Sequence, residues 1–386
     1  MLNREQFLIR RAVERLRDGL FDPVAVNRLT VEEKWIQSSF SKGLKALEKD
    51  QSEHLCICGS YGQGKSHSIL YMSQQALREG YATSVVQLDF REVPFHQFPI
   101  VYQAILEKLS LPDGQTFAKA WKQCANMELL EGFDAMPNRF RMILTAMLGK
   151  NKQLTPKERT FKKYRDYQPK EYGRWLEQAL MGYNIPISNL KKALKYREVD
   201  GYQKQSLICR GNTPYMQMIQ SLGQLFKKMG YKGLVLFFDE GESIAQGRLG
   251  NRAKSYALLD QFFHSKGSVY PIFAFTEDFF DKANHEPYDD ERAIFPKNYA
   301  QAWRDINLVR LDDFSSQRWE TLLDRLIQLY AQAYQVELPS HTKGKLHTLL
   351  QNIEGQETRF RLKSLVNQLD MESQQTLLER GTVDEK

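Results

Sequence analysis

The chain has 386 residues, 42% of them hydrophobic and 26% charged. That length and composition give a large core and two or three domains, or one domain with a large insertion. No apolar run approaches 18 residues, which argues against a transmembrane helix, and Cys56, Cys58, Cys124 and Cys209 lack the paired spacing of a zinc site.

In chain order, residues 1–20 read as a charged amphipathic helix closed by Gly19 and Pro23, without the apolar core of a secretion signal. Residues 22–29 read as an extended connector placed to line an adenine pocket. Thr30 reads as the cap of a second helix, with Glu33 completing a capping box and Trp35, Phe40, Leu44 and Leu47 on its apolar face. Residues 55–58 are a short apolar strand whose two cysteines suit a reducing cytosol.

Residues 59–66 then read Gly-Ser-Tyr-Gly-Gln-Gly-Lys-Ser, a phosphate loop between a strand and a helical apolar pattern. Gly59, Gly62 and Gly64 let the backbone wrap a polyphosphate with its N–H groups. Ser60, Tyr61 and Gln63 complete the loop, and His67 follows it. Lys65 has the reach for the β- and γ-phosphates, and the Ser66 hydroxyl suits Mg²⁺.

A second strand is expected over 83–90 and a helix over 99–109. Residues 113–212 show helical patterns and no strand signal, so they read as an insertion. Between Gly149 and Asn212 stand fifteen Lys and Arg against six Asp and Glu, which places the excess positive charge in this segment. Phe161, Tyr164, Tyr167, Tyr172, Trp175, Tyr183, Tyr196 and Tyr202 interleave the cations. Such a mixture suits a nucleic-acid backbone and exposed bases, or is a solvated helical face with its rings turned inward.

After a helix over 213–229, residues 234–238 are all apolar and run into Asp239 and Glu240. A continuous apolar run marks a strand buried on both faces of a parallel sheet. Acids at its carboxyl end lie where open α/β sheets bind ligands. Asp239 then holds the magnesium shell and Glu240 polarises the attacking water. This pair points to hydrolysis rather than transfer, and the absence of an Asn-Lys-x-Asp motif points to ATP rather than GTP. A helix over 252–264, strands over 269–276 and 307–311, and helices over 315–386 follow. The expected organisation is N-terminal helices over 1–50, an ATPase core over 51–312 carrying the insertion, and a helical lid over 313–386.

Five strands, crossover helices and a small lid resemble the AAA+ class of P-loop ATPases. That resemblance implies that Thr276, or Glu277, senses the γ-phosphate. It also implies that Arg359, or secondarily Arg361, reaches back from the lid, and that Arg292 or Arg304 completes a neighbour's site in a homo-oligomer. A narrower resemblance is carried by Arg10-Arg11-Ala12, Leu16-Arg17 and Gly19, by Tyr61-Gly62-Gln63-Gly64-Lys65-Ser66, by Trp175-Leu176, and by the Gly230-Tyr231-Lys232-Gly233 lead into the Asp239 strand. These residues look like the BREX-system ATP-binding family, the BrxC/BrxD type of phage-defence ATPase. The family's further acid is met by Glu242, while Gly241 implies a looser turn. The resemblance implies the bacterial cytosol, helicase or nuclease partners, and action on DNA, here through residues 149–212. Two functions remain in view: an ATP-driven motor or switch on DNA, and a slow signalling ATPase whose basic insertion docks a protein. A P-loop kinase would need an arginine cluster beside the fourth strand that the sequence does not show.

Overall fold

In a computed structural model of the chain, all residues are described except 1, 2, 21, 32, 33, 52, 125, 126, 266, 287–293, 313 and 384–386. The helices, in chain order, begin with α1 (Arg4–Arg17), α2 (Pro23–Leu29), α3 (Lys34–Glu48), α4 (Lys65–Arg78) and α5 (Phe98–Glu107). The insertion contributes α6 (Phe117–Gln123), α7 (Asn138–Leu148), α8 (Pro156–Arg159), α9 (Pro169–Leu180) and α10 (Ile187–Tyr196). Then come α11 (Thr213–Lys228), α12 (Leu249–His264), α13 (Glu277–Asn284), α14 (Tyr299–Ala302), α15 (Ser316–Tyr334), α16 (Thr342–Asn352) and α17 (Thr358–Val383). The strands are β1 (Leu55–Cys58), β2 (Ala82–Gln87), β3 (Leu109–Ser110), β4 (Leu234–Asp239), β5 (Val269–Phe275) and β6 (Leu308–Arg310). Their order in the sheet is β3-β2-β4-β5-β1-β6.

The chain divides into two compact units, one of residues 1–38, 57–72 and 309–386, the other of residues 39–56 and 73–308. In the second unit, β2 runs parallel to β4 from Ala82↔Leu234 to Gln87↔Asp239. β4 runs parallel to β5 from Leu234↔Val269 to Phe238↔Phe273. Every residue of β5, and every residue of β4 before Asp239, is buried, as the continuous apolar runs require when helices cover both faces of a sheet. Aromatic stacking locks the strands together: Phe238 and Phe273 lie 4.6 Å apart at 15°, with Phe95 edge-on to both. β3, a two-residue antiparallel partner of β2, makes six strands where five were expected; two residues are too short for a period-2 signal.

The insertion does not form a separate core. Its buried Trp121, Phe140, Tyr172, Leu176, Leu190 and Leu194 belong to the same cluster as the sheet residues. The Tyr102 hydroxyl of α5 donates to Leu180 O of α9 at 2.8 Å. The aromatics that interleave the cations mostly turn inward: Tyr172, Trp175, Tyr196 and Tyr202 are buried, and Tyr172 stacks on Tyr196 at 5.4 Å. Phe161 and Tyr183 are exposed, and the Tyr183 hydroxyl donates to Glu107. The expectation of rings presented to bases therefore gives way to a cationic surface over an aromatic core.

In the first unit, Ile9, Ala12, Val13 and Leu16 form the buried stripe of α1 at the i, i+3, i+4, i+7 spacing. They share a core with Leu322, Leu323 and Leu326 of α15 and Leu365, Val366 and Leu369 of α17. Polar contacts fix the same helices. Arg17 holds Asp370 with two hydrogen bonds of 2.8 Å, a bidentate pairing roughly twice as strong as a neutral one. Tyr330 donates to the same carboxylate at 2.7 Å, and Arg11 donates to the buried Asp22 at 3.0 Å. These pairs account for Arg11 and Arg17 of the N-terminal motif, and the Arg10 guanidinium lies over the Tyr334 ring at 5.1 Å.

Two expectations near residue 30 are corrected. Residues 22–29 are not extended: Asp22 caps α2 by accepting from Val24 N at 2.9 Å, and Pro23 stands at its first position, where a fixed φ favours helix. Thr30 closes α2 rather than opening the next helix, since its hydroxyl donates back to Val26 O at 2.6 Å. Glu33 lies outside the described residues.

Candidate nucleotide-binding site

The first unit holds the phosphate loop. β1 ends at Cys58, the loop turns through Gly62 and Gly64 at φ of +82° and +97°, and α4 opens at Lys65. A side chain at either glycine would be strained in that left-handed region. The ammonium of Lys65, itself buried, donates to Gly59 O at 2.9 Å and Ser60 O at 3.1 Å. It is thus held at the loop by carbonyls that a stronger acceptor, a phosphate, can displace. Gln63 Oε1 accepts from Ser60 N at 2.6 Å, which draws the loop closed on itself. Tyr61 at the tip is 65% exposed. The residues fit a polyphosphate: a lysine poised at the loop, amide donors, and open space around Gly64, where an added Cβ would meet nothing within 4 Å.

His67 is part-buried, and desolvation pulls its imidazole down to about 4. Its Nε2 lies 2.7 Å from the Thr30 hydroxyl. Just before α17, Glu357 reaches the loop tip: a Cβ on Gly62 would sit 3.3 Å from Glu357 Cβ. Arg359 is exposed and lies along the end of α1, with its Cγ 3.4 Å from where a Gly19 Cβ would stand. Arg361 is placed differently. Its guanidinium covers the Trp319 ring at 5.4 Å, and its Nε is buried without a hydrogen-bond partner. Sequence reasoning missed Glu357 and the Thr30 contact; nothing in local spacing announces a helix start that meets a loop some three hundred residues earlier.

The second unit holds the acid pair. Asp239 ends β4 opposite Gln87, and its backbone carbonyl accepts from Leu88 N at 2.9 Å. Its Oδ1 accepts from Glu240 N at 3.0 Å. Glu240 adopts the left-handed conformation, φ 57° and ψ 40°, and starts the 3₁₀ turn Gly241–Ala245. Such a conformation costs a non-glycine residue of order 1–3 kcal/mol and clusters at functional sites. Here the turn is not loose. A Cβ at Gly241 would stand 2.6 Å from Ala274 O and 2.6 Å from the Phe275 ring, so the turn presses against β5 with no spare space. Only the missing side chain permits that approach, and this overturns the looser geometry expected from Gly241. Glu242 Oε2 is buried with no hydrogen-bond partner.

Thr276 follows β5 at the start of α13, and its side chain makes no capping bond to that helix. Glu277 beside it is exposed. Asp89 comes just past β2, one residue after the Leu88 amide that binds Asp239; hydrogen bonds from the Glu92 and Arg91 amides hold its carboxyl below the usual range. Arg304 is exposed after α14, and Arg292 lies outside the described residues.

On the insertion, Lys162, Lys163, Arg165, Lys191 and Lys195 are exposed and Lys192 is half-buried. Tyr196 gathers the two segments. Its hydroxyl donates to Asp166 at 2.6 Å, its ring carries Lys195 Nζ at 4.6 Å, and Lys163 Nζ lies over the neighbouring Tyr164 ring at 5.0 Å.

A family model described as BREX system ATP-binding protein BrxC/D matches residues 8–120 and 209–379. The unmatched middle falls within the helical insertion. Curated proteins give no match. Among solved structures, the Walker-type ATPase paby2304 of Pyrococcus abyssi is 13% identical with a TM-score of 0.39, over 92% of this chain and 75% of that one.

Proposed function

The chain belongs to the BREX system ATP-binding protein BrxC/D family, and from that premise we propose that it hydrolyses ATP with Mg²⁺ and works on DNA. The observation that carries the nucleotide reading is the phosphate loop, with Lys65 Nζ held 2.9 and 3.1 Å from two loop carbonyls. Residues 59–67 receive the nucleotide, Lys65 exchanging those carbonyls for phosphate oxygens. Ser66 and Asp239 are the residues that hold the metal. Bound Mg²⁺ supplies charge neutralisation to the phosphates. Glu240 accepts the proton of the attacking water, and its fixed backbone conformation sets where that carboxylate starts. Thr276 orients the terminal phosphate, and Arg359 answers it from the lid. Arg304 or Arg292 serves a neighbouring copy if the protein assembles into a ring.

The DNA reading rests on the cations that meet around Tyr196 and Asp166. Because most of the rings beneath them are packed, contact would run through phosphates rather than base stacking. The test is the rate of ATP hydrolysis with and without duplex DNA, run beside a sizing measurement with each nucleotide. Severalfold stimulation by DNA supports the reading. Turnover without any response to DNA, together with a protein captured through residues 149–212, would favour the signalling switch. No ATP binding at all would end the nucleotide reading.

A further inference from the structure

His67 stands directly after the residue that holds the metal in the reading above, yet its imidazole is engaged elsewhere. Thr30 has one hydroxyl hydrogen. Val26 O, a carbonyl that can only accept, takes it at 2.6 Å. The 2.7 Å contact between Thr30 Oγ1 and His67 Nε2 therefore runs the other way: Nε2 carries the hydrogen and donates. The backbone carbonyl of Thr30 in turn accepts from the Arg325 guanidinium on α15. Thr30 thus ties three elements together with its two oxygens: the first turn of α4, the end of α2 and the middle of α15.

The tie has a lever attached. α15 packs with α17 in one helical group, and the start of α17 sets the preceding Glu357 against Gly62 at the loop tip and Arg359 along Gly19. We infer that His67 is a positioning residue: by donating through Nε2 to Thr30 it fixes the lid helices against the phosphate loop, and so sets nucleotide affinity. The inference rests on the nucleotide-binding reading and adds to it a role for the His67 side chain, which acts through Thr30 and Arg325 rather than by touching phosphate.

The test compares the full-length parent with His67→Leu, His67→Gln and Thr30→Val. Binding of a fluorescent ATP analogue with Mg²⁺ is followed by titration, and backbone amide exchange is followed over residues 26–31 and 325–329. Losing one net hydrogen bond should weaken binding by about 5- to 10-fold in His67→Leu and in Thr30→Val. A His67→Leu/Thr30→Val double variant, added to the set, should be no weaker than either single one, because both remove the same link. Gln keeps a donor at the position of Nε2, so His67→Gln should bind within about twofold of the parent. Amide exchange should quicken in His67→Leu and not in His67→Gln. Parental affinity and parental exchange in His67→Leu would overturn the inference. So would a His67→Gln variant as weak as His67→Leu, which would assign the effect to the ring itself. If His67→Leu does not fold, Thr30→Val and His67→Gln carry the same comparison. A parent that binds no ATP analogue would fail the nucleotide reading instead, and the exchange comparison would still decide whether the link exists.

Discussion

Gly241→Ala is the sharpest perturbation of the acid-pair strand, because a single methyl group decides its sign. Removing a glycine from a compatible site stabilises a protein by about 0.4–1 kcal/mol through the unfolded chain. At this site the methyl would stand 2.6 Å from Ala274 O and 2.6 Å from the Phe275 ring, well inside ordinary contact. Ala274 lies in a strand buried along its whole length, and Phe275 is stacked on Phe279 at 4.2 Å. Neither can step aside, so the 3₁₀ turn must lift from β5. Overpacking of this kind costs about 1–3 kcal/mol, which at about 2–4 °C per kcal/mol lowers the unfolding temperature by roughly 2–12 °C. Glu240 precedes the displaced turn, and a shift near 1 Å at a positioned group can cost about 10²-fold in rate. Thermal unfolding and steady-state ATP hydrolysis should therefore both fall, with ATP binding at the phosphate loop retained. A variant as stable as the parent, with the parent's turnover, would refute the tight approach and the role given to the turn.

The remaining expectations concern the loop, the acid, the cations and a buried histidine. Lys65→Ala removes a charge-assisted contact worth about 1.5–3 kcal/mol, so equilibrium titration should show ATP binding weakened by about one to two orders of magnitude; unchanged affinity would remove the phosphate-loop assignment. Glu240→Gln should bind ATP normally, hydrolyse it about 10²–10⁴-fold more slowly and trap any ATP-dependent oligomer on a sizing column; parental turnover would show that another group positions the water. Replacing Lys162, Lys163, Arg165, Lys191 and Lys192 by Gln should leave ATP binding intact while flattening the slope of log DNA affinity against log salt by up to about 0.9 per lost phosphate contact; the parent's slope would clear the insertion of the role. His54, which accepts from Asn307 N at 3.0 Å, has its imidazole lowered by burial from 6.5 to about 4. It is neutral in both states above pH 6.5, and the unfolded chain takes up its proton first on acidification. Stability should fall between pH 6.5 and pH 4 by of order 2–3 kcal/mol from this group, and His54→Gln should reduce that slope in denaturant titrations.

What could be read in advance was whatever short-range pattern encodes. The eight residues of the phosphate loop sit in order, and five apolar residues in a row announced β4 because both faces of that strand are covered. Residues 22–29 read as extended for a local reason: Pro23 looks like a breaker, although an aspartate followed by proline is equally a helix start, and Asp22 caps it. The aromatics of the insertion were ambiguous because alternation of rings and cations does not say which set faces in. Tyr172 and Tyr196, buried and stacked, needed the tertiary packing to decide it. Glu240's left-handed backbone and the pressure of Gly241 on β5 follow from two strands meeting, and no window of residues contains both. Arg17 finds Asp370 across 353 positions, a separation beyond any periodicity.

That last pairing has a consequence for synthesis. The apolar stripe of α1 leaves the ribosome some three hundred residues ahead of two of the helices it packs on, since α15 begins only at Ser316 and α17 at Thr358. At about 5–20 residues per second, Ile9, Val13 and Leu16 wait on the order of 15–60 seconds before those two helices exist, with Ala25 and Leu29 of α2 to pack on meanwhile. Throughout that interval the strands of the other unit emerge and pair, while an amphipathic N-terminal helix stays open to chaperones or to the helices of another nascent chain. The order of manufacture thus makes α1 wait for α15 and α17, and a ribosome stalled before residue 316 would hold the stripe that faces them exposed.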